Sequence, residues 1–195
     1  MIKYAITGNI ASGKTTVENF LRQKGFNVLD TDKVAHDLLE NEASKSVIEA
    51  FGAEILTNDK PDRAKLAEIV FKDTEKRKAL ENIIHPLIKE KILSFFEKNK
   101  NEKAVFVSVP LLFEAGMENI FDKIILVVAD DEIRLERLMA RNGLERNDAL
   151  RRIKSQMSQF EKFEKSDYVF HNNAEFDNLK NQADDFCNKI LEGQL

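Results

Sequence analysis

The chain has 195 residues, of which 43% are hydrophobic and 33% charged, with a net charge of −4 and a single cysteine. A chain of this size can bury a sizeable core, and its ordinary apolar fraction excludes global disorder. One cysteine excludes an internal disulfide, no apolar run approaches membrane-spanning length, and the slight negative charge gives no support to a broad nucleic-acid surface.

The start, Met1-Ile2-Lys3-Tyr4, enters a buried strand over Ile2 to Ile6 rather than a signal peptide, so a cytoplasmic protein that touches no membrane is expected. The strand leads into Gly8-Asn9-Ile10-Ala11-Ser12-Gly13-Lys14-Thr15, and a helix is predicted from Thr16 to Lys24. Glycines at both ends let such a loop curl until successive N–H groups point at an anion, and the helix adds its positive end. Lys14 is expected to reach the β- and γ-phosphates of a nucleoside triphosphate, and the Thr15 hydroxyl to sit on Mg²⁺.

A second strand, Phe26 to Asp30, ends at Asp30-Thr31-Asp32. A carboxylate there is placed to accept a proton from an attacking hydroxyl; alternatively Asp32 or Thr31 simply caps the helix predicted from Lys33 to Glu40. Further helices are predicted over Ala43 to Ala50 and through a long block from Arg63 to Lys98. His85-Pro86 is expected to interrupt that block and leave His85 extended, as a ligand contact or a core or capping histidine. Arg63, beside Asp62, either binds a substrate phosphate or pairs with a neighbouring carboxylate.

The third strand, Ala104 to Val109, is followed by Pro110-Leu111-Leu112-Phe113-Glu114, whose apolar members line a ligand wall or belong to the core. This strand ends Val107-Ser108-Val109, without the aspartate that many phosphate-loop enzymes use to hold the metal through water. Metal binding therefore leans on Thr15, the phosphates, water, and Asp30 or Asp32. After the fourth strand, Ile124 to Ala129, a helix from Glu132 to Arg141 places Arg134, Arg137 and Arg141 on one side. They form a lid over phosphate or a solvated basic face; Arg141, next to the turn Asn142-Gly143, is the preferred lid residue. A helix from Arg146 to Phe163, a weaker strand from Tyr168 to Phe170 and a helix from Phe176 to Leu191 complete the chain, with Cys187 expected as a buried or idle thiol.

Strands alternating with helices imply an α/β fold: a parallel five-stranded sheet of P-loop NTPase type flanked by helices. One domain over 1–195 is expected, with a helical substrate-binding segment at about 33–98 and a lid at about 130–157.

The combined pattern resembles the dephospho-coenzyme A kinase family over nearly the whole length. The resemblance rests on Thr7 to Thr16, Asp30-Thr31-Asp32-Lys33-Val34-Ala35-His36, Arg63 with Leu66 and Val70-Phe71, and His85-Pro86. It continues through Pro110 to Glu114, Arg134 to Arg141, Arg152-Ile153 with Gln156-Met157, and Ser166-Asp167-Tyr168 with Asn172-Asn173. Departures are Thr31 for alanine, Asn9 and Ala11 for glycines, and Ser108 where many members carry aspartate.

The resemblance implies transfer of the ATP γ-phosphoryl to the ribose 3′-hydroxyl of dephospho-coenzyme A, with Mg²⁺. It implies Asp32 as general base, with Lys14 and Arg141 on the transferring group, and a lid and helical segment that close over both nucleotides. ATP is expected on Gly8, Ala11, Ser12, Gly13, Lys14, Thr15, Thr16, Arg141 and Asn173. The acceptor is expected on Asp32, His36, Arg63, His85, Pro110 and Leu111, in a monomer or weak homo-oligomer without nucleic acid. A nucleoside or nucleotide kinase would share the loop and lid but not the Ala35-His36 and Pro110 to Glu114 elements. A guanine-nucleotide switch would need an Asn-Lys-x-Asp loop where this chain has Ala129-Asp130-Asp131-Glu132.

Overall fold

Strands that are buried along their length must be covered on both faces, and three of the predicted strands have that character. In a computed structural model, which describes residues 1–173 and 176–195, the strands are β1 (Ile2–Gly8), β2 (Asn27–Asp30), β3 (Leu56–Thr57), β4 (Lys60–Pro61), β5 (Ala104–Ser108), β6 (Lys123–Val128) and β7 (Tyr168–His171). The helices are α1 (Lys14–Gln23), α2 (Thr31–Glu40), α3 (Ser44–Phe51), α4 (Arg63–Lys72), α5 (Thr74–Lys98), α6 (Asp131–Asn142), α7 (Arg146–Lys154), α8 (Gln159–Phe163) and α9 (Phe176–Leu191). Among the described residues no helix is long and apolar enough to cross a membrane.

The chain divides into two units, Met1–Asp30 with Lys98–Leu195, and Thr31–Glu97. The first holds a five-stranded sheet in the order β2-β5-β1-β6-β7, every pair parallel. Its register sets Ile6 and Asp30 opposite Ser108, and Gly8 opposite Val127, so the carboxyl ends of β1, β2, β5 and β6 share one edge. Ligands bind at that edge in open parallel sheets.

One face is closed by α1 and α9, which deliver Val17, Phe20, Leu21, Leu179, Ala183, Phe186 and Ile190 onto Tyr4, Ile6, Phe106 and Ile125. Tyr4 stacks on Phe106 at 5.1 Å, and Phe186 meets Tyr4 edge-on at 5.5 Å. Each such ring contributes about 1.5–3 kcal/mol through burial. Cys187 lies in this cluster, fully buried, and burial pushes its thiol pKa up to about 11. A smaller cluster joins Leu135, Leu138 and Ala149 of α6 and α7 to Ile10 and Ala11 of the glycine loop. Gly143, with φ of 62°, ends α6 in the left-handed conformation and donates its N–H to the Met139 carbonyl.

The second unit buries Leu38, Val47, Phe51, Ile55 and Leu66 and contains α2, α3, α4, most of α5 and the antiparallel pair β3–β4. That pair breaks the nearly all-helical reading of this segment. Its turn, Asn58-Asp59, holds two left-handed residues with φ of 52° and 61°, the geometry a two-residue hairpin needs.

Several helix boundaries differ from expectation. The block from Arg63 does not break at His85-Pro86: α5 is continuous through Pro86, and His85 is helical rather than extended. Proline strains a helix interior, but burial of Ile84, Ile88, Ile92 and Phe96 at four-residue spacing outweighs that local cost. The break falls at Asp73, whose carboxylate accepts from the N–H groups of Glu75 (2.9 Å) and Lys76 (3.1 Å) and so starts α5. The helix expected from Arg146 to Phe163 is two, because Ser158 and Glu161 form a capping box that restarts the chain as α8.

Candidate nucleotide site

The turn from β1 into α1 is shaped by its glycines. Gly13 has φ of 99°, and a Cβ there would stand 2.0 Å from Asn172 Nδ2. A Cβ on Gly8 would stand 2.6 Å from Ser12 Oγ and 2.7 Å from the Val127 carbonyl oxygen. Ala11 takes the same left-handed region, φ 64°, at a strain of about 1–2 kcal/mol that its packing under Leu135 and Leu138 holds in place.

Within this turn the Ser12 N–H donates to the Asn9 carbonyl (3.0 Å) and the Ile10 N–H to Gln156 Oε1 (2.8 Å). Among the described residues no acceptor takes the N–H groups of Ala11, Gly13, Lys14 or Thr15, and the buried Ser12 hydroxyl has no partner. Unengaged donors curled at the start of α1 make a concave anion site, reinforced by the positive end of the helix.

The loop is held from outside. Arg134 of α6, buried, donates from Nε to the Ile10 carbonyl at 3.0 Å and from a terminal nitrogen to Asp131 at 2.8 Å. Burial lowers the Arg134 pKa and the Asp131 carboxylate opposes that shift. Asn172, just past β7, donates Nδ2 to the Ser12 carbonyl at 2.8 Å. Asn9 donates its side-chain amide to the Met157 carbonyl at 2.7 Å.

Lys14 and Thr15 are the first two residues of α1, with Thr15 and its hydroxyl group on an exposed position. The Lys14 ammonium donates to Glu18 Oε1 at 2.8 Å and to the Ser108 hydroxyl. Ser108 donates to the same Glu18 oxygen at 2.6 Å, and Arg22 approaches Oε2 at 3.4 Å. Among the described residues no cluster of His, Cys, Asp and Glu could hold a metal by itself. A metal at this site must share its coordination with phosphate oxygens and water, which is how nucleotide-bound Mg²⁺ is held.

The three arginines expected on one side of α6 have different surroundings. Arg134 reaches the loop, and Arg137 donates to the Asn172 carbonyl at 3.1 Å with its other terminal nitrogen buried and unpartnered. Arg141 is exposed and bonds its neighbour Asn142 at 2.9 Å. Asn173 is exposed and bonded both ways to Asp130, at 2.7 Å each. After β5, the Pro110 carbonyl accepts from Thr7 at 3.2 Å; Leu111 is exposed, while Leu112 and Phe113 are core.

In the second unit α2 begins at Thr31, so Asp32 is an exposed residue of its first turn and not the cap. His36, on α2, lies 3.4 Å from Glu40. Arg63 opens α4, and among the described residues no carboxylate pairs with it. Its neighbour Asp62 caps the helix instead, accepting from Ala64 (2.8 Å) and Lys65 (3.3 Å). Arg63 lines a cavity of about 350 Å³ whose other walls are Leu39, Ala64, Leu66, Ala67, Val70 and Leu80.

Sequence reasoning gave no role to Gln156, Glu18 or Lys162. Gln156 follows α7 and meets the loop at Ile10, 146 residues away in sequence, a fact of tertiary placement. Lys162 is fully buried against Glu114 (3.0 Å), a pair 48 residues apart in sequence that no local pattern marks.

A parallel sheet of this order, with an anion-binding glycine loop and a lysine between its first strand and first helix, defines a P-loop phosphotransferase. Residues 2–178 match the family model described as dephospho-CoA kinase. Proteins of that name from Fusobacterium nucleatum and Listeria monocytogenes serotype 4b are 41% and 42% identical to this chain, covering 95% and 97% of it and 96% and 97% of themselves. The solved dephospho-CoA kinase from Campylobacter jejuni superposes with a TM-score of 0.77 at 32% identity, over 99% of this chain and 98% of its own. TT1252 from Thermus thermophilus gives 0.85 at 35%, over 96% and 97%. The chain belongs to the dephospho-CoA kinase family.

Proposed function

We propose that the chain transfers the γ-phosphoryl group of ATP to the 3′-hydroxyl of the ribose of dephospho-coenzyme A, giving coenzyme A and ADP, the last step of coenzyme A synthesis. The observation that carries this reading is the ring of unengaged N–H groups at Ala11, Gly13, Lys14 and Thr15, in a chain that matches the family over residues 2–178.

Those N–H groups, with Gly8, Ser12 and Thr16 shaping the turn, cradle the phosphates, and Lys14 turns its ammonium onto the transferring group. A kinase working on ATP needs a divalent metal; for Mg²⁺ carried in with the nucleotide, the Thr15 hydroxyl would hold it on the protein side, and it would supply charge neutralisation. Asp32 accepts the proton of the attacking hydroxyl. Arg141 closes over the phosphates as a lid residue, and Asn173 lies on the adenine side. His36, Arg63, His85, Pro110 and Leu111 serve the acceptor. An apolar cavity with a guanidinium in its wall suits a ligand that joins phosphate to an apolar arm. The functional organisation is one kinase domain over 1–195, with the acceptor segment at about 33–98 and the lid at about 130–157. The enzyme acts in the cytoplasm as a monomer or weak homo-oligomer.

Incubating the protein with Mg-ATP and dephospho-coenzyme A and locating the added phosphoryl group by ³¹P NMR tests this reading. A product phosphorylated on the ribose 3′-oxygen supports it. Hydrolysis of ATP with unchanged acceptor contradicts it.

A further inference from the structure

A buried carboxylate costs several kcal/mol unless it is fully paired, and Glu18 is buried to 2% side-chain exposure on α1. It is not an ordinary surface i,i+4 partner of Lys14. Its Oε1 takes two hydrogen bonds, one from Lys14 and one from Ser108, while Ser108 itself accepts from Lys14. The three side chains form a closed triangle at the carboxyl end of β5, whose Ser108 stands opposite Ile6 two residues before β1 ends at the phosphate loop.

Strand β5 ends without a carboxylate, and its last side chain is the hydroxyl that donates to Glu18. The negative charge beside the loop lysine therefore comes from α1 itself, one turn after Lys14. We propose that Glu18 is a positioning residue of the nucleotide site: it sets the Lys14 ammonium and the Ser108 hydroxyl, and its charge makes the site prefer the metal complex of ATP over the free nucleotide. This rests on the reading of the loop as an ATP site. The physical reason is Coulombic, since free ATP brings more negative charge toward Glu18 than metal-bound ATP does.

The test is calorimetric titration of ATP into wild type, Glu18→Gln and the double variant Glu18→Gln/Ser108→Asp, each with Mg²⁺ and with EDTA. Glutamine keeps the shape of Glu18 and an oxygen for Lys14 and Ser108 while removing the charge. The ratio of metal-free to Mg²⁺ Kd is expected to fall on the order of tenfold in Glu18→Gln, mainly through tighter metal-free binding. Ser108→Asp, which returns a carboxylate to the same place from the strand, is expected to restore the wild-type ratio. An unchanged ratio in Glu18→Gln, or equal weakening with and without Mg²⁺, overturns the proposal. If Glu18→Gln alone does not fold, the double variant is read directly against wild type, and a ratio unlike wild type overturns it equally. Wild type that binds ATP under neither condition overturns the nucleotide reading itself, before Glu18 is in question.

Discussion

In the sheet unit the phosphate loop is gripped from outside by Arg134, Gln156 and Asn172, and its own strained Ala11 is packed into a small apolar cluster. In the helical unit Arg63 stands exposed at the wall of an apolar cavity, without a carboxylate partner among the described residues, and His36 shares only a long contact with Glu40. The contrast is one of preorganisation. A polyphosphate presents the same charges in every encounter, so fixed backbone donors serve it best. An exposed side chain such as Arg63 keeps rotamer freedom, and a ligand that binds it must order it.

The comparison yields graded expectations. The largest effect belongs to Asp32→Asn, which is expected to lower kcat by roughly 10²–10⁴-fold while leaving ATP binding unchanged. Near-wild-type turnover would remove Asp32 from the proton-transfer role.

Gly13→Ala comes next, because it places a Cβ 2.0 Å from Asn172 Nδ2 at a φ of 99°. It is expected to cost about 1–3 kcal/mol in denaturant unfolding and to weaken ATP binding with it. A folded, fully ATP-competent variant would show that the loop is softer than its clamps imply. Arg63→Ala should behave in the opposite way, with KM for the acceptor raised roughly tenfold, consistent with loss of one charge-assisted hydrogen bond, and melting temperature unchanged. An equal rise in KM for ATP would erase the division of labour between the units.

The smallest effect is at the α4 cap. The Thr57 hydroxyl, then the Lys65 and Ala64 N–H groups, hold the Asp62 carboxyl below its ordinary value of 3.8. A carboxyl whose folded pKa is depressed stabilises the fold above its unfolded pKa, and that contribution disappears as pH falls through the folded value. The melting-temperature difference between wild type and Asp62→Ala is therefore expected at neutral pH and should close on acidification. A difference that persists in acid would show that the aspartate acts through something other than its charge.

The phosphate loop was legible because its chemistry is contiguous: spacing, flanking strand and flanking helix all lie within 24 residues of the start. The three inner strands β1, β5 and β6 were legible for a related reason, since burial on both faces leaves unbroken apolar runs, whereas the edge strands β2 and β7 are short and only partly buried. Glu18 was not, because four residues past Lys14 it reads as a routine helix ion pair, and only the placement of β5 beside β1 buries it. Pro86 misled through a sound local rule that the apolar stripe of α5 overrides. Asp73 and the Ser158–Glu161 box carried real stop and start signals whose short range was masked by continuous helical periodicity around them. The arginines of α6 shared a face in sequence, yet loop, turn and solvent gave Arg134, Arg137 and Arg141 different neighbours.

The most direct measurement is ADP release from Mg-ATP with dephospho-coenzyme A as acceptor, run beside adenosine, uridine and AMP. Strong stimulation by dephospho-coenzyme A alone, with coenzyme A as the product, is the predicted result. Stimulation by a nucleoside or nucleotide instead, with dephospho-coenzyme A inert, would contradict it.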